Sequence, residues 1–198
     1  MKRGTVTAAP DLRTWEAWHK THQPFELAWW QDAVARGHFA QESDEERQVK
    51  AFVAKRGKVL DIGCGPKPIF APCTVIEPLA DEYRKIVPKE YWSYVLVYAH
   101  AAEQPREDLF NKFDTVVCWN CLDHAIGWRE ILINIWRYAK RDARIAVATD
   151  FHEPFVGHPG FERSMFESEV HKRFTVVDKR EPLGRQVALL LRKAGEAP

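Results

Sequence analysis

The run Val59-Leu60-Asp61-Ile62-Gly63-Cys64-Gly65-Pro66 feeds a short apolar stretch into a glycine turn. Glycine has no Cβ and tolerates positive φ, so a ligand can lie close against such a backbone. Glu77 follows Gly63 by fourteen residues, just beyond a second apolar run, Thr74-Val75-Ile76. A glycine turn after one strand and a carboxylate after the next make a cradle for the ribose of an adenosine. The position where G-x-G-x-x-G would place its third glycine holds Pro68, preceded by Pro66 and Lys67. A helix opening with two prolines is poorly suited to offer free N–H groups to a pyrophosphate. Nicotinamide-dependent redox chemistry is therefore disfavoured.

A second constellation lies downstream. Cys118-Trp119-Asn120-Cys121-Leu122-Asp123-His124 ends an apolar run, and Asp150, His152, Glu153 and His158 follow another. In open α/β sheets ligands bind at the carboxyl ends of strands. Asn120, Asp123 and His124 are thereby expected beside a bound substrate. The imidazole of His124 titrates near neutrality and is the first candidate for a general base, with His152 second. Cys118 and Cys121 have the C-x-x-C spacing of redox or zinc motifs, but at a buried strand end they read as core packing plus a turn. A divalent ion between Asp123 and Asp150 is a minor option, and no metal ligands are assigned.

The elements that must position these residues alternate. Strands are expected at 58–62, 74–77, 91–98, 113–119 and 143–149, with helices at 79–87, 128–140 and 161–172. A closing pair of strands, 174–178 and 186–192, joined by a turn through Pro182 and Gly184, suits a hairpin that leaves one sheet edge antiparallel. Trp128, Ile131, Leu132, Ile135, Trp136 and Ala139 repeat at helical spacing, which gives that helix one buried face. Strands alternating with helices predict a mostly parallel sheet covered on both faces. Only eleven residues separate Ile62 from Thr74, three of them proline. That leaves a single turn or an irregular loop where a parallel crossover usually carries a helix.

The first residues differ from the rest. Four of the eight tryptophans, Trp15, Trp18, Trp29 and Trp30, fall here, with His19, His22 and His38. Two helices are expected, at about 11–20 and 25–36, broken near Pro24 and ended by Gly37. They form an N-terminal helical cap or lid over residues 1–42, with the core at 43–198. Ser43-Asp44-Glu45-Glu46 reads as a capping box that starts a helix running to about residue 56.

Charge nearly balances, with 29 Lys and Arg against 28 Asp and Glu. Such a surface is not the footprint of a protein that grips many phosphates, so nucleic acid is an unlikely partner. Four cysteines in a mixed α/β pattern suit reduced thiols in the cytoplasm. The chain holds no run of eighteen apolar residues that would span a membrane. The oligomeric state is not legible.

The segment Asp61-Ile62-Gly63-Cys64-Gly65-Pro66 resembles motif I of the class I S-adenosylmethionine-dependent methyltransferases. Phe113–Trp119 with Asn120 resembles their motif IV. The compact G-x-G-P segment followed by Glu77-Pro78-Leu79-Ala80 is similar to small-molecule, methyltransferase type 11-like members. The resemblance runs from about residue 58 to 160. It implies a Rossmann-like, seven-stranded, mostly parallel sheet with an antiparallel last strand and helices on both faces. It also implies S-adenosyl-L-methionine as cofactor and a small molecule as methyl acceptor, at oxygen or nitrogen. By the same resemblance Asp61, Gly63, Cys64 and Gly65 meet the methionine part of the cofactor, and Glu77 and Pro78 the ribose. Ala102 and Glu103 lie by the adenine, and Asn120 and Cys121 near the transferring methyl. The family's usual acidic residue by the adenine is alanine here, Ala101 or Ala102, which leaves that contact to backbone, Glu103 or Gln104. The alternative is a non-catalytic domain that binds the same cofactor and acts through partner proteins.

Overall fold

The computed structural model describes residues 15–38, 42, 44–154, 159–181 and 186–194. Seven strands form one sheet: β1 (Val59–Ile62), β2 (Cys73–Ile76), β3 (Val95–Tyr98), β4 (Phe113–Trp119), β5 (Ala139–Asp150), β6 (Phe174–Arg180) and β7 (Gln186–Lys193). Their order across the sheet is β3-β2-β1-β4-β5-β7-β6. The first five strands are mutually parallel, and β7 is antiparallel to both β5 and β6. The antiparallel strand thus sits second from the edge, and edge strand β6 runs with the parallel set. Five α-helices lie among the described residues: α1 (Trp15–Ala35), α2 (Asp44–Val53), α3 (Ala80–Ile86), α4 (Trp128–Tyr138) and α5 (Arg163–Arg173).

Side chains alternate across each strand, which divides the core in two. Leu60 and Ile62 of β1, Val116 and Cys118 of β4, and Ile145 and Val147 of β5 face one layer. There they meet Trp128, Ile131, Leu132 and Ile135 of α4 and Phe166 and Val170 of α5. Val59, Val117, Ala146 and Ala148 face the other layer, against Val49, Phe52 and Val53 of α2 and Ala80 and Tyr83 of α3. Each large apolar side chain so buried stabilises the fold by roughly 1.5–3 kcal/mol.

Several boundaries depart from the sequence reading. The strand expected at 91–98 begins only at Val95, because Lys89–Trp92 forms a 3-10 turn after Pro88. Strand β5 starts at Ala139 rather than 143, since Ala139 pairs with Phe113 before a bulge. The N-terminal segment is one helix, not two. Pro24 lies inside α1, and the helix continues to Ala35. Proline costs one hydrogen bond here but does not end the helix, because both halves are anchored: Trp18 and His22 before it, and Ala33 after it, are buried. No helix spans the loop between β1 and β2. Ser43 of the expected capping box, His158, and the turn through Pro182 and Gly184 lie outside the described residues. No helix among the described residues is long and apolar enough to cross a membrane.

Candidate active site

The registers Ile62↔Ile76 and Ile62↔Cys118 bring the carboxyl ends of β2 and β4 to either side of β1. The glycine turn, Glu77 and Asn120 therefore emerge together at one sheet edge. A cavity of about 1020 Å³ opens there, with α1 along one wall. Ligand sites usually measure roughly 300–1,000 Å³, so this one has room for two molecules side by side. Of the thirteen residues assigned from the sequence, twelve line it: Gly63, Cys64, Gly65, Glu77, Pro78, Ala102, Glu103, Asn120, Cys121, Asp123, His124 and His152.

Asp61 is the exception. It points into the apolar layer beneath α2 and α3 and is fully buried. Its Oδ2 accepts the Ile69 N–H at 2.8 Å and ties the loop back to β1. Its Oδ1 is buried without a hydrogen-bond partner. Burial pushes the Asp61 carboxyl up to about 7, against the opposing pull of the Ile69 N–H.

Both glycines of the turn have positive φ, +65° at Gly63 and +61° at Gly65. A Cβ on Gly63 would stand 2.3 Å from Cys121 Sγ, so the turn and the end of β4 meet at a distance only glycine allows. Gly65 faces the Trp30 indole, and its N–H donates to Glu77 Oε2 at 3.1 Å. Glu77 Oε1 accepts the Leu79 N–H at 3.0 Å. Each carboxylate oxygen keeps a second lone pair, enough to receive ribose hydroxyls. Burial raises Glu77 to about 7, opposed by these two N–H groups and reinforced by the charges of Glu26 and Asp61.

Farther along the cavity, Glu103 is gripped from α1. His19 Nε2 lies 3.1 and 3.2 Å from its two carboxylate oxygens. Asn134 of α4, buried and not foreseen from the sequence, donates to the carbonyls of Ala102 and Glu103 and fixes that turn.

At the opposite end, Leu122–His124 form a 3-10 turn directly after β4. Asp123 is buried, and its Oδ1 accepts from Thr149 Oγ1 at 3.1 Å. Its Oδ2 lies 3.5 Å from His124 Nε2 and 3.6 Å from His152 Nε2. One carboxylate thus sits between the two imidazoles picked from the sequence. His152 Nδ1 faces the Glu153 carbonyl at 3.0 Å, which makes Nδ1 its donor nitrogen. Asp150 lines the cavity as well, but it joins no ligand cluster with Asp123 among the described residues. All four cysteines are free thiols.

No protein-family model and no curated protein matches this sequence. Solved structures do match in shape. The 1,6-didemethyltoxoflavin-N1-methyltransferase of Burkholderia thailandensis superposes with a TM-score of 0.63 at 16% identity, covering 96% of this chain and 92% of that one. A TehB-like S-adenosylmethionine-dependent methyltransferase of Corynebacterium glutamicum gives 0.64 at 16% identity, over 88% and 100%. The fold is that of the class I methyltransferases. The N-methyltransferase NodS of Bradyrhizobium japonicum shares it as well, at a TM-score of 0.61 and 14% identity, over 78% of this chain and 100% of that one.

Within this methyltransferase fold, Gln23 and Glu26 of the cavity wall escaped the sequence reading, as did the particular bonds made by the cap residues Trp18 and Trp30. Trp18 Nε1 donates to the His124 carbonyl at 2.7 Å, and Trp30 Nε1 to Glu26 Oε1 at 2.7 Å. Gln23 Nε2 lies 3.4 Å from His19 Nδ1. The one available signal was the i, i+4 spacing of His22 and Glu26, which an expected break at Pro24 concealed.

Proposed function

We propose that this protein transfers a methyl group from S-adenosylmethionine to the oxygen or nitrogen of a small-molecule acceptor. The observation that carries the reading is one cavity with two chemically distinct ends. A glycine turn backed by Glu77 stands at one end, and Asp123 between two histidines at the other. The crystallised Burkholderia thailandensis neighbour holds S-adenosylhomocysteine, which supports the cofactor.

S-adenosylmethionine supplies an electrophilic methyl on a sulfonium. The protein's part is alignment, exclusion of water and removal of a proton from the acceptor. Gly63 and Gly65, having no Cβ, would let the cofactor's methionine part come close to the backbone of the turn. Glu77 offers its remaining lone pairs to the ribose, with Pro78 beside it, and Ala102 gives apolar surface for the adenine. Asp61, buried and outside the cavity wall, would act on the cofactor indirectly, by holding the Ile69 N–H and with it the shape of the turn. Asp123 orients His124 and His152, and this pair takes the acceptor's proton. Helix α1, carrying His19, His22, Glu26 and Trp30, closes the cavity as a lid. Four free thiols fit a reducing cytoplasm.

Calorimetry with S-adenosylhomocysteine and NAD tests the cofactor. Binding of the first and not the second is expected, and the reverse would overturn the reading. With an acceptor in hand, His124→Ala and His152→Ala divide the proton transfer between them. Loss of the working base lowers kcat by about 10²–10⁴-fold while cofactor affinity holds.

A further inference from the structure

His22 and Glu26 stand one turn apart on α1, and His124 faces them from the turn after β4. The ligand-capable atoms of the three lie within 4.8 Å of one another. Glu26 Oε2 is 3.6 Å from His22 Nε2 and 3.6 Å from His124 Nδ1. Such spacings are long for hydrogen bonds. They approach the separation of donor atoms around a shared ion, roughly 3.4 Å for tetrahedral ligands at ~2.0–2.1 Å. We propose that His22, Glu26 and His124 bind a divalent transition-metal ion at the acceptor end of the cavity.

Each ligand is held by a second group, as metal-binding side chains usually are. Trp30 occupies Glu26 Oε1 at 2.7 Å and turns Oε2 toward the imidazoles. Behind His124, Asp123 Oδ2 lies 3.5 Å from Nε2, which leaves Nδ1 as the ligating nitrogen. The Trp18 indole stacks on His22 with ring centroids 5.2 Å apart and planes 17° apart, which fixes the ring's tilt.

Two imidazoles and one carboxylate suit zinc or ferrous iron, whereas magnesium and calcium prefer oxygen alone. Three protein ligands leave a coordination position open, and all three residues line the cavity. The role follows from the methyl-transfer reading and rests on it. The acceptor is then a molecule whose hydroxyl oxygen ligates the ion. Its O–H proton passes to His152, since His124 is committed through Nδ1. The oxygen's electron pair forms the bond to the methyl carbon, and the carbon–sulfur pair leaves with sulfur.

The test uses the full chain, stripped with a chelator and titrated with Zn²⁺ against a chromophoric chelator, and separately with Co²⁺ by absorption. One equivalent is expected, with cobalt d–d bands and no thiolate-to-cobalt charge-transfer band. Glu26→Gln and His22→Ala should each weaken binding at least ten-fold, and His171→Ala, exposed on α5, should not. Should His22→Ala fail to fold, Glu26→Gln, nearly the same shape, decides. No stoichiometric binding, a thiolate band, or unchanged affinity in Glu26→Gln would overturn the site. S-adenosylhomocysteine calorimetry on the same samples separates the two readings. Metal without cofactor binding sinks methyl transfer alone, and cofactor without metal binding sinks this site alone.

Discussion

Trp18 donates its indole N–H to the carbonyl oxygen of His124, 2.7 Å away and 106 residues along the chain. This bond ties α1 to the turn that carries Asp123 and His124. Trp18→Phe keeps an aromatic ring beside His22 and removes only the donor. A stability loss of about 0.5–1.5 kcal/mol is expected, the net worth of one hydrogen bond at a part-buried carbonyl. The turn also loses its tether, so kcat should fall on the order of ten-fold with S-adenosylhomocysteine affinity near wild type. Thermal melts and calorimetry check the first and last, and turnover the second. Unchanged turnover would mean that the turn holds its own position.

Glu77→Gln sets an amide N–H₂ against one of two backbone donors, Gly65 N–H or Leu79 N–H. Stability should drop by about 1–3 kcal/mol. Cofactor affinity should drop by about 1.5–3 kcal/mol as the charged acceptor is lost. Wild-type affinity in calorimetry would remove Glu77 from the ribose site.

Gly63→Ala places a methyl 2.3 Å from Cys121 Sγ at a φ of +65°. The strained backbone costs of order 1–3 kcal/mol, and the clash adds to it. Cofactor binding should be lost before folding is. Gly65→Ala carries the same strain but meets only the Trp30 ring at 3.6 Å, so it should melt higher than Gly63→Ala. The reverse order of melting temperatures would contradict the close approach of turn and β4.

Asp61 and Glu77 are both raised to about 7 by burial. Between their ordinary carboxylate range and pH 7, the folded state holds protons that the unfolded chain has released. Their contribution to stability is therefore full below their ordinary range, declines as pH rises through about 7, and is lost above. Asp61→Asn should flatten part of that slope between pH 5 and 8, whatever its effect on absolute stability. Binding of S-adenosylhomocysteine, with its ammonium, should release protons near pH 6.5. Calorimetry in buffers of different ionisation enthalpy reads this directly, and an enthalpy independent of buffer would refute it.

Strand positions were legible because apolar runs such as Phe113–Trp119 are buried on both sides. Boundaries failed where other forces competed. Tyr91 and Trp92 read as strand, yet they belong to a 3-10 turn whose Trp92 indole donates to the Pro66 carbonyl at 3.0 Å. Lys140 read as the end of a helix and Arg141 and Asp142 as a loop, yet all three lie within β5, in the irregular stretch between the pairings of Ala139 with Phe113 and of Arg144 with Thr115, which no local pattern announces. The motif residues at strand ends were legible because their backbone requirements are local. The α1 segment was legible as a cap or lid, but its His22–Glu26 face was not, since these residues face one way only if the helix runs through Pro24. The partnership of Asp123 with Thr149 and two histidines depends on β5 lying next to β4, which is a tertiary fact.

The crossover from β1 to β2 has no helix, and so no ladder of backbone bonds, to stiffen it. Pro66, Pro68 and Pro72 supply stiffness by another route. Each fixes its own φ and narrows the choices of the residue before it, so the unfolded chain has fewer conformations to surrender. Asp61 and Trp92 then need only one bond each, to Ile69 and Pro66, to hold the loop against the sheet. Replacing Pro66 and Pro68 with alanine would leave the folded loop's bonds to Asp61 and Trp92 possible and still lower stability, because the added disorder belongs to the denatured ensemble.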